Sequence, residues 1–474
     1  MTTLKIKGVV LGVALLMLSC QTTEEDSLDI QKESSIIQVT KHDGHAFSNG
    51  QSTTISKTFT PGPGGGVMIQ AFYWDVPSGG TWWNIVNSKV TAWSNAGIDA
   101  IWLPPASKAQ NGPFSMGYDP TDYFDFGDFN QNGTIETRFG SRTELESLIS
   151  TSHSQNVKVF ADIVLNHNSG GQLEANQYTG TNTWTDFTGI ASGKFLRTQH
   201  DFHPNAIVNN DSGIFGGFPD LSHQVPNVQD WLWNRSDGVG KYYKNVMGFD
   251  GWRFDYVKGF EPWVVNTWNA NVGGFSVGEY WDSNVNTLEW WANSANSTVF
   301  DFACYYKMDE AFDSNNLNKL NDDMMWKRNP FKAVTFVANH DTDIIWKKML
   351  AYAYILTHEG YPTIFYRDYE EWLDKERLDN LIWIHNNKAT GNTSILYTDT
   401  DEYVARRNGY NGEPGLIVYL NNSGSWKERW VPTNWYSTPI KDYTGHSAWY
   451  PTTQSGGWVK IQCPPNSYSV WSVN

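Results

Sequence analysis

Between residues 67 and 366, short apolar runs alternate with longer amphipathic stretches, and nothing else in the chain limits its fold as tightly. The runs occupy 67–73, 100–103, 157–165, 251–256, 275–280, 299–302, 334–338 and 363–366, and helical periodicity fills segments such as 81–96, 143–155 and 346–358. Several runs have no regular polar alternation, as expected of parallel strands covered by helices on their faces. Eight such strands separated by helices predict an α/β chain closed as a (β/α)8 TIM barrel. Residues 168–226 interrupt the alternation after the third run. They are rich in Gly, Asn, Asp and Thr and too long for an ordinary connection, so they predict a small inserted domain. The barrel is then expected in two pieces, 63–167 and 227–388. Beyond Lys388 the helical pattern stops, and runs such as 402–405 and 415–420 with Gly/Asn turns predict an all-β sandwich domain over 389–474.

The N-terminus reads as an address. Lys5 and Lys7 precede an apolar run over 8–18 that is too short to span a bilayer as a helix, so residues 1–19 are expected to be a signal peptide. Met17-Leu18-Ser19-Cys20 resembles a bacterial lipoprotein cleavage box, which implies lipidation of Cys20. Residues 20–62, rich in Ser, Thr, Glu, Asp and Gln, read as a solvated tether, and the Pro/Gly run 61–66 closes it. The expected location is outside the cell, lipid-anchored at a bacterial outer membrane or cell surface, with no other membrane contact. The remaining thiols, Cys304 and Cys463, are too few for a disulfide framework or metal cluster and are expected to be buried and inert.

Composition narrows the partners. A content of 40% hydrophobic and 18% charged residues excludes a wholly disordered chain. A net charge of −16 repels phosphate backbones, so no nucleic-acid partner is expected. Aromatic residues make up 15% of the chain, more than a core alone requires, and flat rings offer stacking surfaces for the C–H faces of sugars.

In such a barrel, chemistry sits at the C-terminal ends of the strands. Those ends are polar here: Asp162 to His167, Arg253 and Asp255, Glu279, and Asn339 to Asp341. Arg253 and Asp255 share a strand face, and the guanidinium favours an ionised carboxylate suited to nucleophilic attack. Glu279 closes the next strand in a less obviously cationic setting, where a raised pKa suits a general acid. Carboxyls on adjacent strands can stand about 5 Å apart, the spacing of a retaining glycosidase.

Read in order, Asp162-Ile163-Val164-Leu165-Asn166-His167, Gly251 through Gly259, Gly278-Glu279 and Asn339-His340-Asp341 resemble the four strand-end motifs of the α-amylase family of glycoside hydrolases, and Phe218-Pro219-Asp220-Leu221 resembles its fifth motif. The resemblance implies an endo-acting hydrolase of α-1,4-glucans such as starch and maltooligosaccharides. It works by double displacement with Asp255 as nucleophile, Glu279 as acid/base and Asp341 as transition-state stabiliser. It also implies that His167, Arg253 and His340 line the subsite of the attacked glucose, with Tyr118 as its aromatic platform and Lys258 on the leaving-group side. A Ca²⁺ cofactor is implied on Asn166, Asp220 and the backbone carbonyl of Gly259, with Asp211 as a further ligand. The stretch 128–133 superficially matches a calcium-binding EF-hand loop, but its twelfth position is Phe139 rather than Glu, and that reading fails. The chain is expected to act as a monomer. A transglycosylase would use the same machinery, whereas an inactive glucan-binding scaffold would be expected to have lost one of the three carboxylates. Arg367, where the family commonly has Gly, and a short loop after Asp343 place product length and subsite number in question. Trp426, Trp430, Trp435, Trp449, Trp458 and Trp471 are expected to serve mainly in packing.

Overall fold

The structure, a computed structural model, describes residues 65–207 and 215–474. The predicted runs become eight strands: β1 (Met68–Gln70), β2 (Ala100–Leu103), β3 (Lys158–Ile163), β4 (Gly251–Phe254), β5 (Phe275–Gly278), β6 (Thr298–Phe300), β7 (Ala333–Phe336) and β8 (Tyr361–Phe365). All pair in parallel, in sequence order, and β8 closes on β1 to complete the barrel. Each strand is shorter than its apolar run except the second, which matches its run, and the last, which starts two residues earlier. The residues left over at several C-terminal ends continue as loops, which carry Asn166, His167, Asp255 and Glu279, while Asp162 and Arg253 stay on the strands.

Helices α1 (Trp82–Ala96), α2 (Arg142–Ser154), α3 (Trp263–Asn271), α4 (Val285–Ser294), α5 (Phe302–Phe312), α6 (Lys348–Ile355) and α7 (Lys375–Lys388) are among those that cover the barrel. Helix α2 starts in a capping box: the Ser141 hydroxyl accepts from the Glu144 N–H, and the Glu144 carboxylate accepts from the Ser141 N–H. The outward residues of β4 meet this layer, with the rings of Trp252 and Phe254 packing edge-on against Trp268 of α3. Inward stand Arg253 on the same strand and Asp255 just past its end, as the period-two reading predicted.

The interruption after β3 contains an antiparallel hairpin, Gln172–Asn176 with Thr181–Asp186, and returns to the barrel through a bridge between His167 and Asp220. Beyond α7, strands β9 (Thr393–Thr398), β10 (Glu402–Arg407), β11 (Leu416–Asn421), β13 (Ile440–Asp442) and β15 (Ser467–Val473) form one antiparallel sheet. Strands β12 (Lys427–Pro432) and β14 (Trp458–Cys463) form a second. An apolar core including Ile417, Val431, Ile461 and Trp471 joins them, so the C-terminal segment is all-β as expected. It is tied to the barrel by buried polar contacts, among them Tyr403 Oη to His358 Nε2 at 2.9 Å and Arg407 Nη1 donating to Thr357 O at 3.2 Å.

Cys304 and Cys463 are buried and free, and burial pushes both thiols well above their ordinary pKa. The tryptophan expectation needs correction. Trp435, Trp449 and Trp471 pack in the core, but Trp426, Trp430 and Trp458 are about half exposed, the last two because among the described residues no layer covers the outer face of the β12–β14 pair. Cys20 and Asp211 lie outside the described residues, as do the signal and tether segments. Among the described residues no helix is long and apolar enough to cross a membrane.

Candidate active site

The register of three neighbouring strands sets the site. Asp162 of β3 lies opposite Arg253 of β4, and Phe254 lies opposite Gly278 of β5. The ladder runs one rung further: the Asp255 N–H donates to Ile163 O at 3.0 Å and the Glu279 N–H to Phe254 O at 3.0 Å. Asp255 and Glu279 are therefore the first residues past the paired strands, at the same height of the barrel. Gly278 permits this placement, since a β-carbon there would stand 2.0 Å from the ring of Trp291.

One guanidinium organises the carboxyls. Arg253 is almost fully buried; its Nη1 reaches Asp162 Oδ1 at 2.9 Å and Asp255 Oδ1 at 2.6 Å, and its Nη2 reaches Glu279 Oε1 at 2.8 Å. Asp162 also accepts from Tyr118 Oη at 2.8 Å and Trp102 Nε1 at 3.1 Å. The other Glu279 oxygen accepts from the backbone N–H of Tyr256 at 3.0 Å. Tyr256 holds a left-handed conformation with φ +45°, which costs a non-glycine residue energy and here aims its N–H at the carboxyl. The setting of Glu279 is thus as cationic as that of Asp255, contrary to the sequence expectation. Burial nevertheless dominates and raises the Glu279 pKa to about 8. Burial likewise raises Asp162 to about 7 and Asp341 to about 6, in both cases against the pull of Arg253.

Asp341 lies beyond β7 on a turn in which Asn339 Oδ1 accepts the N–H groups of Asp341 and Thr342 at 2.8 and 2.9 Å. Its Oδ2 stands 3.0 Å from His340 Nε2. The His340 ring stacks on Tyr118 with centroids 5.3 Å apart and planes within 10°, and Trp74 stacks on the same pair. Trp74 is 47% exposed, so this three-ring stack opens to solvent through an indole. His167 stacks against both Phe215 and Phe218, and its Nε2 is 2.9 Å from the carbonyl of Tyr118. Sequence reading expected His167 to line the subsite of the attacked glucose; in the structure its Nε2 faces the Tyr118 carbonyl. Lys258 stands apart from the carboxyl cluster, 3.2 Å from Asp282 and over the ring of Tyr280.

Sequence reading missed Gln70, Trp74 and Trp102 and gave Asp162 no role. Gln70 alone carried a signal, as the single polar residue in the apolar run 67–72.

The implied metal ligands come together at the mouth of the insert. The Leu221 N–H donates to the Asn166 carbonyl at 2.9 Å, beside the His167–Asp220 bridge. The side-chain oxygen of Asn166 faces Gly259 so closely that a β-carbon on the glycine would stand 1.9 Å from it. Amide, carboxylate and carbonyl oxygens are the donors a calcium ion takes, so these residues fit one. Among the described residues no group of three or more His, Cys, Asp or Glu side chains is placed to hold a metal. The 128–135 loop has a different occupant: the Lys108 ammonium, donating to the carbonyls of Phe129 and Thr134 at 3.1 Å each. A cavity of about 560 Å³ lies at the opposite end of the barrel, lined by Lys158, Asp250, Phe275 and Lys332 among others. That end serves stability rather than chemistry in this fold.

Comparison with known proteins decides the family. The α-amylase catalytic-domain family matches residues 45–368, and the α-amylase C-terminal domain family matches 416–472. The chain belongs to the α-amylase family. It is a glycoside hydrolase. Its relatives include the α-amylase of Geobacillus stearothermophilus, 29% identical over 86% of this chain and 87% of that one. The cytoplasmic α-amylase of Escherichia coli is 28% identical over 86% and 98%. In fold it is similar to the α-amylase of Geobacillus thermoleovorans complexed with acarbose, with a TM-score of 0.67 at 17% identity, covering 86% of this chain and 97% of that one.

Proposed function

We propose that the chain hydrolyses internal α-1,4 bonds of starch-type glucans with retention of configuration, using Asp255 as nucleophile and Glu279 as acid/base. The observation that carries this reading is the pair of carboxyls gripped by the two arms of Arg253 at 2.6 and 2.8 Å, on adjacent strands at one height. Groups held by one guanidinium face a common small volume, which suits the roughly 5 Å separation of retaining enzymes. Glu279, protonated near neutrality, donates its proton to the glycosidic oxygen while Asp255 attacks the anomeric carbon through an oxocarbenium-like transition state. The carboxylate left on Glu279 then takes a proton from water, which attacks the glycosyl-enzyme from the side the leaving group vacated. Asp341 faces the same volume and binds the distorted sugar more strongly than the relaxed one. Tyr118, Arg253 and His340 build the wall of this subsite, with His167 behind Tyr118 and Lys258 toward the departing chain.

Calcium on Asn166, Asp220 and the Gly259 carbonyl would supply positive charge that fixes the insert against the barrel. We place the catalytic barrel in 63–167 and 227–388, the insert in 168–226 and the β domain in 389–474. The monomeric enzyme is exported by residues 1–19 and anchored through Cys20 by the tether 20–62. Support for export is the basic start, the short apolar run and the Ser19–Cys20 junction. Release of the Cys20→Ala protein into the medium checks the anchor.

The central reading is tested by a product time course on soluble starch, with the anomer formed first read by NMR. Wild type is expected to release a spread of oligosaccharides in the α configuration, and Asp255→Asn to fold but lose nearly all turnover. Initial release of the β anomer, or near-wild-type hydrolysis by Asp255→Asn, overturns it.

A further inference from the structure

Gln70 ends β1 inside the barrel, and its side chain is fully buried. A carboxamide in such a place costs free energy unless its groups are bonded. Gln70 Nε2 lies 2.8 Å from His340 Nδ1, a contact across 270 residues of sequence, while Gln70 Oε1 has no hydrogen-bond partner among the described residues. The amide therefore makes one side-chain contact, and it is with a ring that faces the carboxyl cluster.

The His340 ring is packed by Tyr118, by Phe72 at 4.9 Å and by Trp102 at 5.7 Å between centroids. Packing fixes the ring plane but does not choose which nitrogen bears hydrogen. Burial, with Arg253 adding to it, lowers the pKa of His340 well below its ordinary value, so the ring is neutral and carries one N–H. Its Nε2 stands 3.0 Å from Asp341 Oδ2 but is not aligned for a hydrogen bond with any described protein group. A bare lone pair at that nitrogen would face the lone pairs of a carboxylate. Turning the amide over would set Oε1 against Nδ1, draw the hydrogen there and create that repulsion.

We propose that Gln70 is a positioning residue of the hydrolysis: by donating its amide N–H to His340 Nδ1, it keeps the only ring hydrogen of His340 on Nε2, presented to a hydroxyl of the sugar beside Asp341. This role rests on the assignment of Asp255, Glu279 and Asp341 as the catalytic carboxyls. Leucine at position 70 fills similar volume but leaves the ring free to exchange tautomers. Glutamate keeps the shape and, at a pH where it is ionised, offers only acceptors, which pull a hydrogen onto Nδ1.

Two measurements on the full chain test it. Long-range ¹H–¹⁵N spectra of the labelled wild type, with His340 assigned by its loss in His340→Ala, are expected to show Nδ1 without hydrogen and Nε2 with it. Gln70→Leu is expected to lower kcat at least about tenfold with KM little changed, since a donor presented to the transition state is lost. Gln70→Glu is expected to show hydrogen on Nδ1 and a pH–rate profile displaced from wild type, which damage to packing alone would not produce. A wild-type spectrum with hydrogen on Nδ1, or folded Gln70→Leu and Gln70→Glu proteins with wild-type kcat, overturns the proposal. If neither variant folds, the wild-type spectrum decides. Turnover retained by Asp255→Asn overturns the carboxyl assignment separately, whatever the His340 spectrum shows.

Discussion

Glu279 Oε1 lies 2.8 Å from Arg253 Nη2, yet its carboxyl titrates at about 8 rather than below the usual range. The guanidinium is shared with Asp162 and Asp255, so each acid receives only part of its compensation, while burial acts on Glu279 in full. An acid catalyst needs this imbalance. It must reach neutral pH still holding the proton that it gives away.

The first prediction concerns activity and pH. With protonated Glu279 as the proposed acid, kcat/KM is expected to fall as pH rises through about 8. Glu279→Gln cannot donate, and its kcat is expected to drop about 10²- to 10⁴-fold on glucans. A substrate whose leaving group needs no proton restores much of the glycosylation rate. Initial rates from pH 4 to 10 check both statements.

The same shifts predict how stability varies with pH. Folded-state values of about 8 for Glu279, 7 for Asp162 and 6 for Asp341 exceed those of the unfolded chain. The folded protein then binds more protons than the unfolded one, so this contribution is complete below the unfolded pKa values near 4 and is lost as pH rises through the folded ones. Glu279→Gln removes one of the three groups. Its thermal midpoint relative to wild type is expected to rise steadily between pH 5 and 9, and an unchanging difference contradicts the shift.

Asp162 anchors Arg253 and is wholly enclosed, with no solvent to replace a lost partner. Asp162→Ala leaves a buried cation short of charge and is expected to cost roughly 3 kcal/mol or more. Asp162→Asn keeps the acceptor for Tyr118 and Trp102 and should cost less. Urea unfolding midpoints for the two variants give the order.

Calcium removal tests the oxygen cluster at the insert. An ion at a hundred times its Kd stabilises by about 2.7 kcal/mol, so chelation is expected to lower the thermal midpoint by several degrees. Asp220→Ala should start from the lowered midpoint and respond little to chelator. Equal midpoints with and without chelator in the wild type remove the site.

Much of this was readable before any coordinates. Eight apolar runs became eight strands, and Arg253, Asp255 and Glu279 appear at strand ends where the period-two rule and barrel logic place them. Phe139 in the twelfth position argues against an EF-hand at 128–133, and the structure adds that the Lys108 ammonium donates to carbonyls of this loop. What stayed hidden depends on contacts between distant segments. Nothing near Gln70 in sequence announces His340, and nothing near Tyr118 announces that its carbonyl occupies His167. The exposure of Trp430 and Trp458 was equally illegible, since alternation on a two-stranded sheet does not say which face a second layer covers.

The sequence by itself determined the order of elements, the closure into a barrel and the residue types at the strand ends, because these follow from local periodicity and the burial of apolar runs. Only the tertiary structure decided protonation. The height of each carboxyl, its share of one guanidinium and its depth below solvent are set by register between strands far apart in the chain, and the balance of the three sets how far burial raises the pKa of Glu279.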